Sequence, residues 1–147
     1  MLPDPIEPIG NYVPAVQSGG LLFVSGHGPR AEDRAFLSGK VGRDVTVDEA
    51  RRRARIVGLR LIGTVRRTLG SLDRVRRVVK VLGMVNATEG FADHPQVIDG
   101  CSELFVDVFG EAGRHARSAV GMGSLPRMLT VEIEAVFETT SSQNEGK

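Results

Sequence analysis

The sequence feature that most constrains the fold is one long apolar stripe with a start signal and a stop signal. The stripe repeats at steps of three and four residues, the spacing of one face of an α-helix. Thr46 and Glu49 form a T-x-x-E capping box before it, and Gly70 follows it as a residue that commonly ends helices. A helix is therefore predicted from about 47 to 69. Its buried face consists of Ala50, Ala54, Val57, Leu61, Val65 and Leu69.

Shorter patterns predict the strands before and after this helix. The apolar runs 13–16 and 21–25 are separated by Ser18-Gly19-Gly20, which favours two strands joined by a tight turn. The run 75–85 is apolar at both parities, which is typical of a strand covered on both sides.

A second helix is predicted to begin at Pro95, with Asp93 near its cap, and to end at Gly110. Cys101 lies on the apolar stripe of this helix, so we interpret it as a core residue rather than a nucleophile.

The end of the chain is predicted to be a hairpin with arms 117–122 and 128–138. The resulting order, β-β-α-β-α-β-β, predicts an α+β fold with two helices on one face of a mostly antiparallel sheet. Two helices cannot cover both faces of the sheet. Every second residue of the 75–85 strand points to the uncovered face, and these residues make that face apolar. We therefore expect a closed homo-oligomer that packs sheet against sheet, with any pocket at the subunit boundaries.

Composition bounds the class of protein. A chain of 147 residues with 41% hydrophobic residues suits one domain, expected at 1–138, followed by a disordered polar tail at 139–147. There is no apolar run long enough to span a membrane and no signal-peptide pattern, so the cytoplasm is the expected location. Phosphate-loop, zinc and serine-hydrolase motifs are absent from the sequence, so it predicts no metal site and excludes the enzyme classes that depend on these motifs.

Basic residues concentrate between 51 and 80, where eleven Lys or Arg accompany one acid, Asp73. Such a segment could bind RNA. A solvated helix face in an arginine-rich protein is the simpler explanation, and with one Tyr and no Trp few aromatic rings could stack on bases. Nucleic-acid binding is therefore not the favoured interpretation.

The predicted hairpin brings two charged residues together. If it turns at 124–125, Arg117 faces Glu132 across the strands and shares a face with it. The pair could be a surface ion pair of small value. Alternatively, Arg117 could bind a substrate carboxylate while Glu132 positions or deprotonates a water molecule.

Several short segments, in this order along the chain, match a known pattern. They are G-N-Y at 10–12, V-S-G-H at 24–27, H-A-R-S at 115–118, L-P at 125–126 and V-E-I-E-A at 131–135.

Together these segments resemble the RidA/YjgF family over about residues 8 to 138. The resemblance implies a chorismate-mutase-like fold, a homotrimer with clefts between subunits, and no cofactor. It also implies hydrolysis of reactive 2-imino acids or their enamine tautomers to 2-oxo acids and ammonia. Arg117 would bind the substrate carboxylate, Glu132 would orient the attacking water, and Tyr12 and the amides around Ser25 and Gly26 would line the cleft.

Three positions depart from the family pattern. Asn11 replaces Pro, His27 replaces Gln, and Ala119 stands where the family often has Cys, at a position whose role is largely that of the backbone. His27 could be an acid or base beside the cleft, or a residue that only alters specificity or lies at the surface. Besides the deaminase, a trimer that binds small molecules without turnover and an RNA-binding or endoribonuclease-like protein stay open.

Overall fold

The computed structural model describes residues 1–5 and 7–141. Helix α1 spans Val47–Leu69, as predicted, and Gly70 ends it in the left-handed conformation with φ 86°. The Thr46 hydroxyl accepts a hydrogen bond from the Glu49 amide at 3.1 Å. The carboxylate of Glu49 binds Arg52 and Arg53, so only the threonine half of the predicted capping box forms.

Helix α2 spans His94–Phe109, with Pro95 in its first turn and Gly110 at its end. Cys101 is fully buried against α1, and burial raises the pKa of its thiol to about 12. The interpretation of Cys101 as a core residue is therefore confirmed, because a buried and protonated thiol is a poor nucleophile.

Five strands form one mixed sheet: β1 (Ala15–Ser18), β2 (Leu21–His27), β3 (Val75–Asn86), β4 (Ala116–Met122) and β5 (Val131–Thr139). Their order across the sheet is β1-β2-β5-β3-β4, so β5 lies at the centre and β1 and β4 lie at the edges. The two predicted helices and the α+β class are confirmed, since the core lies between the helices and one face of this sheet.

The predicted terminal hairpin is wrong. Strand β3 lies between β4 and β5, and β4 runs parallel to it with Arg117 paired to Val81. Strand β5 runs antiparallel to β3 with Glu132 paired to Met84. The physical reason is that β3, α2 and β4 form a βαβ unit, in which a helix crosses over and returns the chain parallel to the first strand.

The face of the sheet away from the helices carries exposed apolar side chains, as expected. Phe23 and Val16 face each other across β1 and β2 and are 45% and 52% exposed. Val120 on β4 is also exposed. No helix among the described residues is long and apolar enough to cross a membrane.

The polar tail begins later than expected. Thr139 is the last residue of β5, and the Thr140 amide donates to the Arg74 carbonyl. Residues 142–147 of the predicted disordered segment lie outside the described residues.

Candidate active site

A cavity of about 600 Å³ opens at the end of β2 and brings together most of the predicted site residues. Five of them line it: Tyr12, Ser25, Gly26, His27 and Glu132. Arg117 and Ala119 do not. The cavity walls come from the N-terminal segment, β2, the loop after β2, helix α1, the turn before β5, and β5 itself.

A bulge in β2 shapes this end of the sheet. The pairing of β2 with β5 shifts between Val24 and His27, so one extra residue is accommodated there. The Ser25 amide donates to the Pro14 carbonyl at 2.9 Å, and its hydroxyl donates to the Val13 carbonyl at 2.7 Å. Ser25 therefore uses both of its donors to hold the segment that carries Tyr12.

Glu132 packs directly against Gly26. A Cβ atom at position 26 would collide with the Glu132 carboxyl group, so with any residue other than glycine the end of this side chain would have to move. Burial raises the pKa of Glu132, and the like charge of Glu134 raises it further. A carboxyl group with a raised pKa is a better proton acceptor and donor near neutral pH than an exposed one.

His27 is held at both ring nitrogens. Nδ1 lies 2.7 Å from the Ser25 carbonyl oxygen, which can only accept, so Nδ1 carries the hydrogen. Nε2 then accepts from the Thr64 hydroxyl on α1 at 2.7 Å. Burial lowers the pKa of His27, and the charge of Arg60 lowers it further. The ring is thus neutral with both nitrogens engaged, which favours a role in fixing the bulge to α1 over acid–base catalysis.

The cavity also contains three arginines that sequence reasoning missed as site residues: Arg30, Arg60 and Arg127. Arg60 lies one helical turn before Thr64, so both project from α1 on the same side. Its position in the basic segment 51–80 concealed it, because its neighbours there are mostly surface residues. The loop between β2 and α1 supplies Arg30, and no sequence pattern indicated where that loop would lie.

Arg117 lies in a separate groove of about 530 Å³ between β4 and α2. Its Nη1 donates to the Asp99 carboxylate at 2.7 Å and to the Ser102 hydroxyl at 3.1 Å. Its side chain is 21% exposed. Because Arg117 pairs with Val81 on the helix side of the sheet and Glu132 pairs with Met84 on the other side, the two side chains do not meet within one protomer.

Ser102 and His115 complete this groove. The His115 Nδ1 donates to the Gly113 carbonyl at 2.6 Å, and its Nε2 lies 2.8 Å from the Ser102 hydroxyl. Burial lowers the pKa of His115, and the charge of Arg117 acts in the same direction. Ala119 lies two residues along β4, partly buried against the core. Among the described residues, no group of three His, Cys, Asp or Glu side chains could hold a metal ion.

Comparison with known proteins agrees with this architecture. The chain is 41% identical over 138 residues to Protein TCP17 of Trypanosoma cruzi, a match that covers 93% of this chain and 86% of that one. It is 44% identical to the protein Atu1372 of Agrobacterium tumefaciens, with a TM-score of 0.85 over 88% of this chain and 83% of the other. It is 25% identical to TdcF of E. coli, solved with bound serine, with a TM-score of 0.60 over 93% of both chains.

A family model also matches the chain. Its description is "YjgF/chorismate_mutase-like, putative endoribonuclease", and the match covers residues 1–132, which include both helices, β1–β4 and the start of β5. With this match and the 41% identical relative, the chain belongs to the YjgF/chorismate mutase-like family.

Proposed function

We propose that this protein hydrolyses reactive 2-imino acids, or their enamine tautomers, to 2-oxo acids and ammonia at sites shared between the subunits of a homotrimer. The observation that carries the proposal is Glu132, a carboxyl group with a raised pKa packed on Gly26 inside a concave cavity. Such a group can take a proton from water and return it to a leaving amine.

The reaction asks little of the protein. Water adds to the electrophilic carbon of the protonated imine as Glu132 accepts one proton from it, which gives a neutral carbinolamine. Glu132 then donates that proton to nitrogen, the C–N bond breaks, and ammonia leaves while the hydroxyl proton returns to Glu132 as the carbonyl forms. Holding the acid and the water in line can supply several kcal/mol of the acceleration, up to about 7–11 kcal/mol for well-aligned partners.

The carboxylate anchor in this proposal is Arg117 from a neighbouring protomer. Within one protomer β3 separates β4 from β5, so Arg117 and Glu132 require two copies to form one site. The exposed apolar side chains of the open sheet face, Phe23, Val16 and Val120, favour burial against other copies. The serine bound to TdcF shows that a 25% identical relative takes a small molecule with a carboxylate.

Two other functions compete with this one. A trimer that binds 2-oxo acids without turnover would use the same cavity, and the ammonia assay below distinguishes it. The family description names an endoribonuclease, but several arginines of the basic segment already contact protein groups. Arg51 binds Glu103, Arg52 and Arg53 bind Glu49, and Arg74 donates to the Thr140 carbonyl. RNA retention that falls steeply with salt would support the RNA-binding function.

The proposal is tested by mixing two inactive variants, Glu132→Gln and Arg117→Ala. Each alone is expected to lose at least about 100-fold in the release of ammonia from 2-iminobutanoate, which a dehydratase or an amino acid oxidase generates in the assay. Co-refolded at equal amounts, mixed cyclic trimers hold one intact site each, so about a quarter of wild-type activity should return.

The mixture has a clear contrary result. If both residues act within one protomer, no mixed trimer has an intact site and the activity stays at the level of the single variants. Refolded wild-type protein gives the reference, and light scattering checks that each sample is trimeric. Full activity in Glu132→Gln would remove the proposed role of Glu132, and no ammonia release by the wild type would remove the proposed hydrolysis.

A further inference from the structure

Three arginines that line the cavity around Glu132 form a cluster. The Arg30 guanidinium carbon lies 3.9 Å from the centre of the Phe36 ring, and that of Arg127 lies 4.5 Å from the same centre. Arg60 is half-buried on α1 at the side of His27. We call Arg30, Arg60 and Arg127 the arginine cluster.

No carboxylate neutralises this cluster among the described residues. Seven ion pairs involve arginines elsewhere in the described chain, and none involves a member of the cluster. Three acids do line the same cavity, Glu7, Glu132 and Glu134, but none lies within ion-pair distance of these guanidinium groups. Within the part of the chain that the structure describes, the Arg30 side chain makes one hydrogen bond, to the Arg34 carbonyl at 3.0 Å.

The cluster is electrostatically unfavourable as it stands. Burial lowers the pKa of Arg60, and the charges of Arg30 and Arg34 lower it further. Burial also lowers the pKa of Arg30, with Arg127 and Arg34 adding to the effect. Like charges gathered at a concave surface without an ion-paired carboxylate are stabilised when an anion binds between them.

The cavity is large enough for the anion to be part of a longer ligand. A volume of about 600 Å³ is in the range that holds drug-sized ligands, far more than a three- or four-carbon acid fills. Glu132 lies against Gly26 in this space, and among the described residues no ion pair joins it to the arginine cluster, which lines the same cavity.

We propose that the arginine cluster binds a second anionic group, a carboxylate or a phosphate, at the far end of the ligand. The cavity then prefers 2-oxo and 2-imino acids with two anionic ends over acids with one. The inference rests on the proposed function for the reacting end of the ligand, whereas the anion site itself rests only on the cluster.

Calorimetric titration of the trimeric wild type with three probes tests this inference. The probes are 2-oxobutanoate with one anionic group, 2-oxoglutarate with a second carboxylate, and 3-phosphonooxypyruvate with a phosphate. At least one of the two doubly charged probes should bind ten times more tightly than 2-oxobutanoate, and the stronger of the two identifies the chemistry of the second group.

The variant Arg60→Gln should abolish this preference and change the affinity for 2-oxobutanoate less than twofold. Arg66→Gln is the matched control, because it removes an exposed arginine from the same helix outside the cavity and should change neither affinity. Arg127→Gln changes an exposed residue that lines the same cavity, and it tests the cluster again if Arg60→Gln does not fold.

Three results would overturn the inference. They are equal affinities for all three probes, an equal loss for one-anion and two-anion probes in Arg60→Gln, and no binding of any probe. Its failure is separable from that of the proposed function. Ammonia release without a two-anion preference rejects the cluster alone, and a preference without ammonia release from any matching imine rejects the deaminase alone.

Discussion

The Glu132 cavity and the Arg117 groove use arginine in opposite ways. In the groove, Arg117 forms an ion pair with Asp99 at 2.7 Å and donates a hydrogen bond to the Ser102 hydroxyl. In the cavity, Arg60 lines the wall with no ion pair among the described residues, and Glu132 is held near another acid rather than near a base. The charge of Arg117 in the groove is therefore neutralised by an ion pair, whereas the charge of Arg60 in the cavity is not.

This difference separates structural charges from charges available for a ligand. An ion pair formed within the protein stabilises the position of its members but leaves little net charge for a partner. A cavity that keeps its acids and arginines apart costs stability, and such costs are commonly retained at functional sites. The cavity is therefore the better place for chemistry, and in the proposed trimer the groove would become part of a site only when a neighbouring copy supplies Glu132.

The largest effect within one protomer is expected from Gly26→Ala. The added methyl group would displace the Glu132 carboxylate from its place against the bulge, so turnover should fall by about 10- to 100-fold, as misplacement of a catalytic group by about 1 Å can do. Ammonia release from 2-iminobutanoate measures the loss, and thermal unfolding shows that the variant is folded.

The matched control is Gly20→Ala, a glycine at the other end of β2. A Cβ atom there would make only an ordinary contact, 3.9 Å from the Thr139 carbonyl oxygen, so this variant should retain wild-type turnover. If the two variants are equally active, the position of Glu132 against Gly26 is not what makes the cavity reactive.

The sequence predicted the elements well because their signals are local. The capping threonine and the apolar stripe determine α1 from within its own 23 residues, and the same holds for α2. The pairing of β4 could not be derived from alternation, since alternation defines the faces of a strand and not its neighbour. The strand–helix–strand order of β3, α2 and β4 was the better signal, because it favours a parallel pair.

The site was predicted in part for the same reason. Tyr12, Gly26, His27 and Glu132 were identified from short motifs, and they do line one cavity. Arg60 is brought there by the packing of α1 over the end of β2, a contact between distant segments that a local pattern does not contain. The hairpin register placed Arg117 beside Glu132 within one protomer, and because that pairing is wrong, Arg117 lies in the groove instead.

A smaller effect is expected when Arg117 in the groove loses its ion-pair partner, as Arg60 in the cavity has none among the described residues. Asp99→Asn keeps an oxygen near Arg117 but removes the negative charge that neutralises it. If Arg117 binds the substrate carboxylate, the KM for 2-iminobutanoate should fall about three- to fivefold, the scale of a partly exposed ion pair, with kcat unchanged. A raised KM would show instead that Asp99 serves to position Arg117.

The smallest effect concerns the two histidines, one in each region. The pKa values of His27 and His115 lie below 6.5 in the folded chain because of burial. As the pH falls below about 6.5, the unfolded chain takes up protons that the folded chain resists, so stability is complete above this pH and decreases towards pH 5. His27→Gln and His115→Gln should each reduce the fall in Tm between pH 7 and pH 5 by at most a few degrees. Thermal unfolding at both pH values measures this difference. If only His115→Gln has the effect, His27 titrates freely in the folded protein, and the cavity is then more open to water than the groove.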